Sequence, residues 1–577
     1  MAAPADLVFL NGSVLTVDPD FTVASALAVT DGVVSAVGGR EDVAPYVGPA
    51  TRVVDLDGGT LLPGINDSHL HGCAFGVGMP PLSLDVKHPA VRSIADVADA
   101  VQEAARSTPP GEWIIGHGWD PGFLNECVAD PSRLPTRHDL DAVSPDHPVL
   151  LYSFSGHATW VNSAALVRAG VDRNATAPYG PLVVTDAAGE PTGMLTEGAQ
   201  DLVHRALPAL SPKVRAEAIT ATLKTLARLG VTSYTEPGLG PGGDSLMRGA
   251  LAHSTLDVYR RLLADGELTA RVSVLLLPSG MAGTGDEFIR ALDGIGETMT
   301  ADPRLLNVIG VKIFADGVVP NKTAWMHQPY VGGGCGSLCV GGDGAADDER
   351  VAEVGRMIRH AHAAGYQVGV HVTGDRGIDA VVDAFADAAA EHPRPDPRHY
   401  VIHGDFLTAR SMKLLAAHGF GVNMNPTIKW TVADLEEEFV GPERAAYAWP
   451  YRDAIDAGVT VASGSDAPVT FPDWRQGIAT MLLRESKASG RVSGPDQRIQ
   501  LAEAVRTYTV NAAWQDLAED WKGSLEVGKV ADLCVLAGDL LSADPHDIPD
   551  MPVVLTAVGG EIVYDALDAP GGDALAV

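Results

Sequence analysis

The run Leu61-Leu-Pro-Gly-Ile-Asn-Asp-Ser-His-Leu-His-Gly72 determines how the rest of the chain is organised. A short apolar segment, broken by Pro63-Gly64, leads into His69 and His71. Residues two apart on a β-strand share one face, so both imidazoles would project together from a strand end. This arrangement suits two nitrogen ligands of one metal ion. A His-x-His pair is also common at ordinary loop edges, so the other strand ends must decide between the two interpretations.

The composition is that of a packed globular protein of two or three domains. The chain has 577 residues, of which 46% are apolar and 20% are charged. Its formal net charge of −33 argues against nucleic acid as a partner, because the phosphates would be repelled. We therefore expect a small-molecule substrate rather than a polyanion.

Targeting and cysteine content indicate a cytoplasmic protein. The first residues lack the basic region of a signal peptide, and no segment reaches the ~18 uninterrupted apolar residues typical of a membrane span. The five cysteines are few, odd in number and scattered, which is typical of a reducing compartment. We therefore expect no membrane association.

Both ends of the chain contain short β-rich runs separated by turns. Asn11-Gly12 and Asp31-Gly32 lie between apolar runs, as hairpin turns do. The C-terminal segment, residues 523–564, has the same character. Neither end alone could bury an apolar face, so we predict one β-sandwich built from residues 1–62 and 518–577.

The middle of the chain alternates between strand and helix patterns, which predicts a (β/α)8 barrel within residues 63–517. Roughly 130 residues separate the first strand from the next helix, far more than a βα loop needs. We therefore predict an inserted subdomain at about residues 84–207. The strand candidates after the first are 230–236, 271–277, 306–314, 367–372, 399–403, 421–425 and 459–463.

Metal-ligating residue types recur at the predicted carboxyl ends of the barrel strands, where this fold carries its chemistry. Each one alone has an ordinary explanation, such as a hydrogen-bonded polar group or the start of a turn. Together and in this order, they favour a metal site. The candidates are His69, His71, Lys312, His371, His403 and Asp466.

The motifs resemble the amidohydrolase superfamily, specifically its third family, the branch that includes N-substituted formamide deformylases. The resemblance covers nearly the whole chain, although Asn66 and Glu236 depart from the residues usual at their places. It implies a barrel joined to a β-sandwich and a metal-dependent hydrolase, usually of a C–N bond. The matching segments include Gly116-His-Gly-Trp-Asp120, Val161-Asn-Ser163, Val311-Lys-Ile-Phe-Ala-Asp-Gly317, Gly464-Ser-Asp-Ala-Pro-Val469 and Asn511-Ala-Ala513.

The resemblance also implies a distribution of ligands over one or two divalent ions. His69, His71 and Asp466 would hold a first metal, and His371 and His403 a second. Lys312 would bridge both as a carboxylated lysine, the alternative being a lysine paired with Asp316 or Asp466. Nitrogen and carboxylate ligands suit zinc best, with manganese, iron and nickel left open.

The predicted function is hydrolysis of an amide or N-substituted formamide by a metal-activated water. Asp466 and His371 are the predicted catalytic residues, and Asp466 would take the proton of the water and pass it to the leaving nitrogen. The same site could act on an ester, carbamate or cyclic amide, or run an isomerisation or decarboxylation, because a fold does not fix a reaction. The intact ligand set disfavours a non-catalytic binding protein.

Aromatic and polar residues in the loops are candidates for contact with substrate. Trp119, His157, Asn162 and Trp325 are the predicted substrate residues, and ordinary loop packing is the alternative for each. The resemblance further implies a homodimer.

Overall fold

The computed structural model describes residues 3–153, 158–173, 182–296, 298–342 and 344–567. The chain divides into two compact units. The larger unit comprises Met1–Gly72, Thr222–Met247 and Leu251–Val577, and the smaller comprises Cys73–Ala221 and Arg248–Ala250. Within the described ranges, no helix is both long enough and apolar enough to cross a bilayer.

The strands are numbered β1 to β22 in chain order. They are Leu7–Leu15, Val23–Thr30, Val33–Gly38, Arg52–Asp55, Thr60–Pro63, Ile65–Asp67, Leu84–Asp85, Ile114–Trp119, Val149–Ser153, Ala158–Val161, Val183–Thr185, Pro191–Thr196, Val231–Leu239, Arg271–Leu276, Leu306–Phe314, Gln367–Val372, Tyr400–His403, Gly421–Met424, Thr460–Ser463, Leu533–Leu536, Val553–Val558 and Glu561–Asp565.

The α-helices are numbered α1 to α19 in the same way. They are Arg40–Val43, Gly72–Val77, Ile94–Ser107, Asn125–Ala129, Arg137–Asp141, Ser163–Ala169, Asp201–His204, Pro212–Arg228, His253–Ala264, Gly285–Gly294, Asp347–Ala363, Asp375–Glu391, Ala409–His418, Pro426–Val440, Pro442–Tyr447, Tyr451–Asp456, Trp474–Leu483, Leu501–Thr507 and Val510–Gln515.

The larger unit contains a parallel barrel. Its strands pair in the order β6, β13, β14, β15, β16, β17, β18 and β19, and an isolated bridge between Leu70 and Ala467 brings the first and last strands together. The barrel helices are amphipathic: α12 buries Ile378, Val381 and Phe385, the spacing that puts side chains on one helical face. The predicted barrel is confirmed.

A second sheet of the larger unit combines both ends of the chain. Its order is β22, β21, β20, β5, β1, β2, β3, with β4 also pairing with β1. Alternate residues of β1 enter two separate apolar clusters, Leu7 and Phe9 in one, Val8 and Leu10 in the other. The prediction that the chain ends build a joint β structure beside the barrel is therefore confirmed.

The smaller unit is a mixed α/β structure with its own core. Its sheet has the order β11, β12, β10, β9, β8, β7, with parallel pairing only between β7, β8 and β9. Trp119 and Trp160 are buried in one apolar cluster, and Leu150 and Leu195 belong to a second. Burial of two tryptophans on one face of a six-stranded sheet provides a substantial apolar core.

Candidate metal centre

The ends of the first and last barrel strands are tied together around His69. The Asp67 carboxylate Oδ1 accepts hydrogen bonds from the backbone N–H of His69 at 3.2 Å and of Ser465 at 3.0 Å. A Cβ on Gly464 would lie 2.6 Å from the His69 nitrogen, so this close approach of backbone requires glycine. The backbone therefore fixes the spacing between His69 and the loop that carries Asp466.

His69, His71 and Asp466 form a compact group of metal-ligating side chains. Asp466 Oδ1 lies 3.4 Å from His69 Nε2 and 3.6 Å from His71 Nε2. One potential ligand atom from each residue lies within 4.8 Å of the others, and all three residues are buried. This geometry can hold one divalent cation through two imidazoles and one carboxylate.

Glu236, at the C-terminal part of β13, contacts the opposite side of the His71 ring. Its Oε1 lies 3.4 Å from His71 Nδ1. Its Oε2 accepts hydrogen bonds from the Tyr259 hydroxyl and the Gly72 N–H, each at 2.9 Å. The carboxylate is completely buried, so these contacts hold it in a single orientation.

Three further predicted ligands form a second group, joined to the first through ring contacts. The His403 ring centroid lies 5.2 Å from that of His69 and 4.5 Å from that of His371. His403 Nδ1 bonds to the Asn425 side-chain oxygen at 2.7 Å, and His371 Nε2 lies 3.4 Å from the Gly317 carbonyl oxygen. The third member, Lys312, lies on β15 and is buried.

Burial and mutual charge shift the pKa values of these groups. Burial lowers the pKa of Lys312 to about 7 and that of His403 to about 4. Burial, followed by the neighbouring Lys312 ammonium, holds the pKa of His69 well below its ordinary value. Burial alone would raise the pKa of Asp466, but hydrogen bonding and charge from His69 hold it below the usual range. At neutral pH His69 and His403 are therefore neutral imidazoles, and Asp466 is an ionised carboxylate.

Two of these donors have unusual backbone conformations. His403 has φ 76° and Asp466 has φ 56°, in the left-handed region that β-carbon-bearing residues rarely adopt. Such conformations cost about 1–3 kcal/mol each and are concentrated at functional sites. The fold therefore tolerates local strain where it positions these two side chains.

The predicted substrate residues occupy several different environments. Trp119 is buried, and its indole N–H donates to the Leu151 carbonyl at 2.9 Å. The Asn162 oxygen accepts from Ala165 and caps α6, while its amide group donates to backbone carbonyls of the same unit. These contacts give both residues structural roles within the smaller unit. His157 lies outside the described residues.

Trp325, the fourth predicted substrate residue, belongs to the larger unit. It is 3% exposed, and its backbone N–H donates to Asp316 at 2.8 Å. The Arg376 guanidinium lies 4.2 Å from the centroid of its ring system. Asp316 also accepts from the backbone of Thr373 and Gly374, so it links the loops that follow β15 and β16.

Glu236, Asn425 and Asp316 support the site, a role that the sequence did not predict for them. Each follows a barrel strand or lies at its C-terminal part, which was the available signal. Their partners are remote in sequence, however: Asn425 supports a histidine 22 residues away, and Glu236 accepts from a backbone N–H 164 residues away.

A barrel with such donors at its strand ends defines a class of metal-dependent hydrolases, and the chain belongs to the amidohydrolase family, whose model matches residues 52–564. The resemblance noted in the sequence and the prediction of a metal-dependent amidohydrolase are thereby confirmed.

Individual relatives match along almost their entire length. The protein YtcJ of Bacillus subtilis (strain 168) is 31% identical over 564 residues, covering 97% of this chain and 99% of the relative. An N-substituted formamide deformylase of Arthrobacter pascens is 28% identical, covering 98% and 99%. Among solved structures, an uncharacterized metal-dependent hydrolase from Pyrococcus horikoshii has a TM-score of 0.70 at 22% identity, covering 94% of this chain and 99% of that one. This last likeness shows a shared fold.

Proposed function

We propose that this protein hydrolyses the C–N bond of an amide or N-substituted formamide with a water molecule activated by divalent metal. The observation that carries the proposal is the group formed by His69, His71 and Asp466, with ligand atoms within 4.8 Å of one another. The similarity to a formamide deformylase over nearly the whole chain supports the choice of bond.

The residues of the site fit a metal ion by their chemistry. His69 Nδ1 and His71 Nδ1 are buried and form no hydrogen bond with the described residues, while both Nε2 atoms face Asp466. Burying an ionised carboxylate among neutral imidazoles is costly unless a cation neutralises it. Two imidazoles and a carboxylate suit zinc best.

Lys312 is proposed to complete the ligand set as a carbamate. Because burial lowers its pKa to about 7, much of the amine is unprotonated at neutral pH and can attack carbon dioxide. The new N–C bond leaves a carboxylate on the side chain and releases one proton. The product would hold two cations between the His69 group and the His371–His403 pair.

A divalent ion held by these residues would supply a water with its pKa lowered toward ~7 and a polarised substrate carbonyl. Asp466 Oδ1 accepts the proton of the attacking water, since its lowered pKa keeps it ionised. The protonated Asp466 then donates to the departing nitrogen, which leaves poorly as an anion. His403 and His371 would each bind metal through a ring nitrogen, and Asn425 orients the His403 ring.

A substrate panel tests the function. N-alkyl and N-aryl formamides, longer acyl amides, cyclic amides and esters would be incubated with the purified protein and with its Asp466→Asn variant. We expect amine and carboxylate to be released from formamides or small amides by the parent protein, and far more slowly by the variant. Cleavage of esters alone would replace the proposal with an esterase.

A further inference from the structure

Glu236 and His71 are both buried, and their side chains contact each other through one carboxylate oxygen and one ring nitrogen. His71 Nδ1 and Glu236 Oε1 are 3.4 Å apart, a close polar contact slightly longer than a hydrogen bond. Neither atom forms a hydrogen bond with the described residues, so this contact is the polar interaction that each of them makes. An isolated buried donor or acceptor is costly, so the pair is expected to share a proton through this contact.

The other carboxylate oxygen of Glu236 already accepts two hydrogen bonds. Oε2 accepts from the Tyr259 hydroxyl and from the Gly72 N–H, each at 2.9 Å. Tyr259 in turn accepts from the Tyr234 hydroxyl at 2.9 Å. Glu236 therefore cannot rotate away from His71 without losing two hydrogen bonds.

Gly72, the residue after His71, is packed so closely that a larger side chain there would collide with its neighbours. A Cβ on Gly72 would lie 2.7 Å from both the Tyr234 and Tyr259 hydroxyl oxygens. The Gly72 carbonyl accepts from the Thr222 hydroxyl at 2.7 Å. Glu236 thus contacts both the side chain of His71 and the backbone of Gly72, which restricts the movement of both residues.

We propose that Glu236 is a positioning residue that fixes the tautomer of His71. Where Glu236 Oε1 accepts from the ring, the imidazole proton lies on Nδ1. Nε2 then keeps its lone pair, and Nε2 is the nitrogen that lies 3.6 Å from Asp466 Oδ1. The role rests on the proposed function, since the oriented lone pair is aimed at the proposed metal.

His69 provides an internal contrast. Its Nε2 lies 3.4 Å from Asp466, but its Nδ1 has no partner among the described residues. Only His71 of the pair therefore has a carboxylate on each side. Carboxylate partners of this kind typically contribute 10–100-fold to metal affinity or activity.

The test uses Glu236→Gln. Tyr259 and Gly72 both donate to one oxygen, so the glutamine oxygen stays there and its NH2 faces His71 Nδ1. Nδ1 must then accept, which moves the ring proton to Nε2 and removes the lone pair. Nitrogen-15 NMR of metal-free, histidine-labelled protein, with His71→Gln identifying the signal, reports this tautomer. Co²⁺ titration of the same protein measures affinity.

We expect the parent protein to carry the His71 proton on Nδ1, and Glu236→Gln to move it to Nε2 and weaken Co²⁺ binding by about 10–100-fold. Tyr259→Phe, which leaves Oε1 intact, is the matched control and should keep the tautomer. A parent ring protonated on Nε2, or a tautomer unchanged in Glu236→Gln, would overturn the proposal. If neither protein binds Co²⁺, the metal function fails, while the tautomer result still decides the role of Glu236.

Discussion

The two groups of proposed ligands differ in the charge of their partners. In the first group, His69 and His71 contact Asp466, and His71 also contacts Glu236. In the second group, the polar partners that the described residues offer to His371 and His403 are neutral oxygens, those of Gly317 and Asn425. Among the described residues, no carboxylate lies within 4.0 Å of the His371 or His403 ring nitrogens or of Lys312 Nζ.

This difference shows what the second group lacks for holding a divalent cation. The first group supplies negative charge from its own side chains, whereas the second offers two neutral rings and an amine. A carboxylated Lys312 would add the missing negative charge at the place where the two groups meet. The contrast therefore makes Lys312 the residue on which the second group depends most strongly.

Lys312→Ala should have the largest effect on activity and metal content. Without a carbamate, the second group has no negative ligand, so metal bound by His371 and His403 should be lost. We expect activity to fall to background and metal content to fall by about half if two ions are present. Hydrolysis assays and elemental analysis of the same preparation measure both changes.

A matched variant separates loss of the carbamate from loss of packing. Lys312→Met fills the space of the lysine stem without a reactive amine, whereas Lys312→Ala leaves room for an added ligand. Short carboxylic acids should therefore restore part of the activity and metal of Lys312→Ala but not of Lys312→Met. Full activity of Lys312→Met would contradict a role for the amine.

Asp466→Asn removes the negative charge of Asp466 from the first group and should have the next largest effect on activity. The amide keeps the shape but cannot take a proton, so kcat should fall by ~10²–10⁴, the usual contribution of positioned proton transfer. The acidic limb of the pH–rate profile should also change. Metal should stay largely bound, because the proposed Lys312 carbamate still supplies a negative ligand beside the histidines.

Asp67→Asn is the control for this variant. Asp67 accepts two backbone N–H groups, and an asparagine oxygen can accept them as well. Its kcat should therefore change much less than that of Asp466→Asn. If Asp466→Asn keeps near-normal kcat with metal in place, another group moves the proton.

The smallest expected effect concerns stability and a third pair of histidines, His362 and His399, which are hydrogen-bonded to each other. Val368 donates to His399 Nδ1 at 3.0 Å, which places the His399 proton on Nε2, 2.8 Å from His362 Nδ1. His362 Nε2 then donates to the His392 carbonyl at 2.7 Å. Neither ring can accept another proton without losing a hydrogen bond.

Burial lowers the pKa of both His362 and His399. The unfolded chain therefore binds more protons below pH ~6.5, so the free energy of unfolding falls as the pH falls through that value. Each proton contributes up to about 1.4 kcal/mol per pH unit. Denaturant unfolding of metal-free protein between pH 7.5 and 5.5 should show a shallower slope for His399→Gln. The exposed His418→Gln control should keep the parent slope, and equal slopes for all three proteins would contradict this account.

The sequence predicted the barrel because strand and helix patterns alternate along the middle of the chain. His69, Lys312, His371 and Asp466 could be selected as a set because each falls at or near a predicted strand end, where this fold carries its chemistry. The joint sheet of the chain ends followed from runs too short to bury their own apolar face.

The supports of the site could not be predicted in the same way. Glu236 lies within a strand whose residues are all buried, and its role depends on the ring of His71, which is distant in sequence. Asn425 is likewise a supporting residue only because its side-chain oxygen lies 2.7 Å from His403 Nδ1 in the folded chain. Such pairings depend on tertiary structure and leave no local pattern.

The central claim is that these donors hold divalent metal on which hydrolysis depends. Elemental analysis of the purified protein, combined with an assay in strong chelator, tests it most directly. We expect one to two equivalents of a divalent transition metal per chain, and loss of activity in chelator that returns when the metal is restored. Absence of metal together with full activity in chelator would contradict the account.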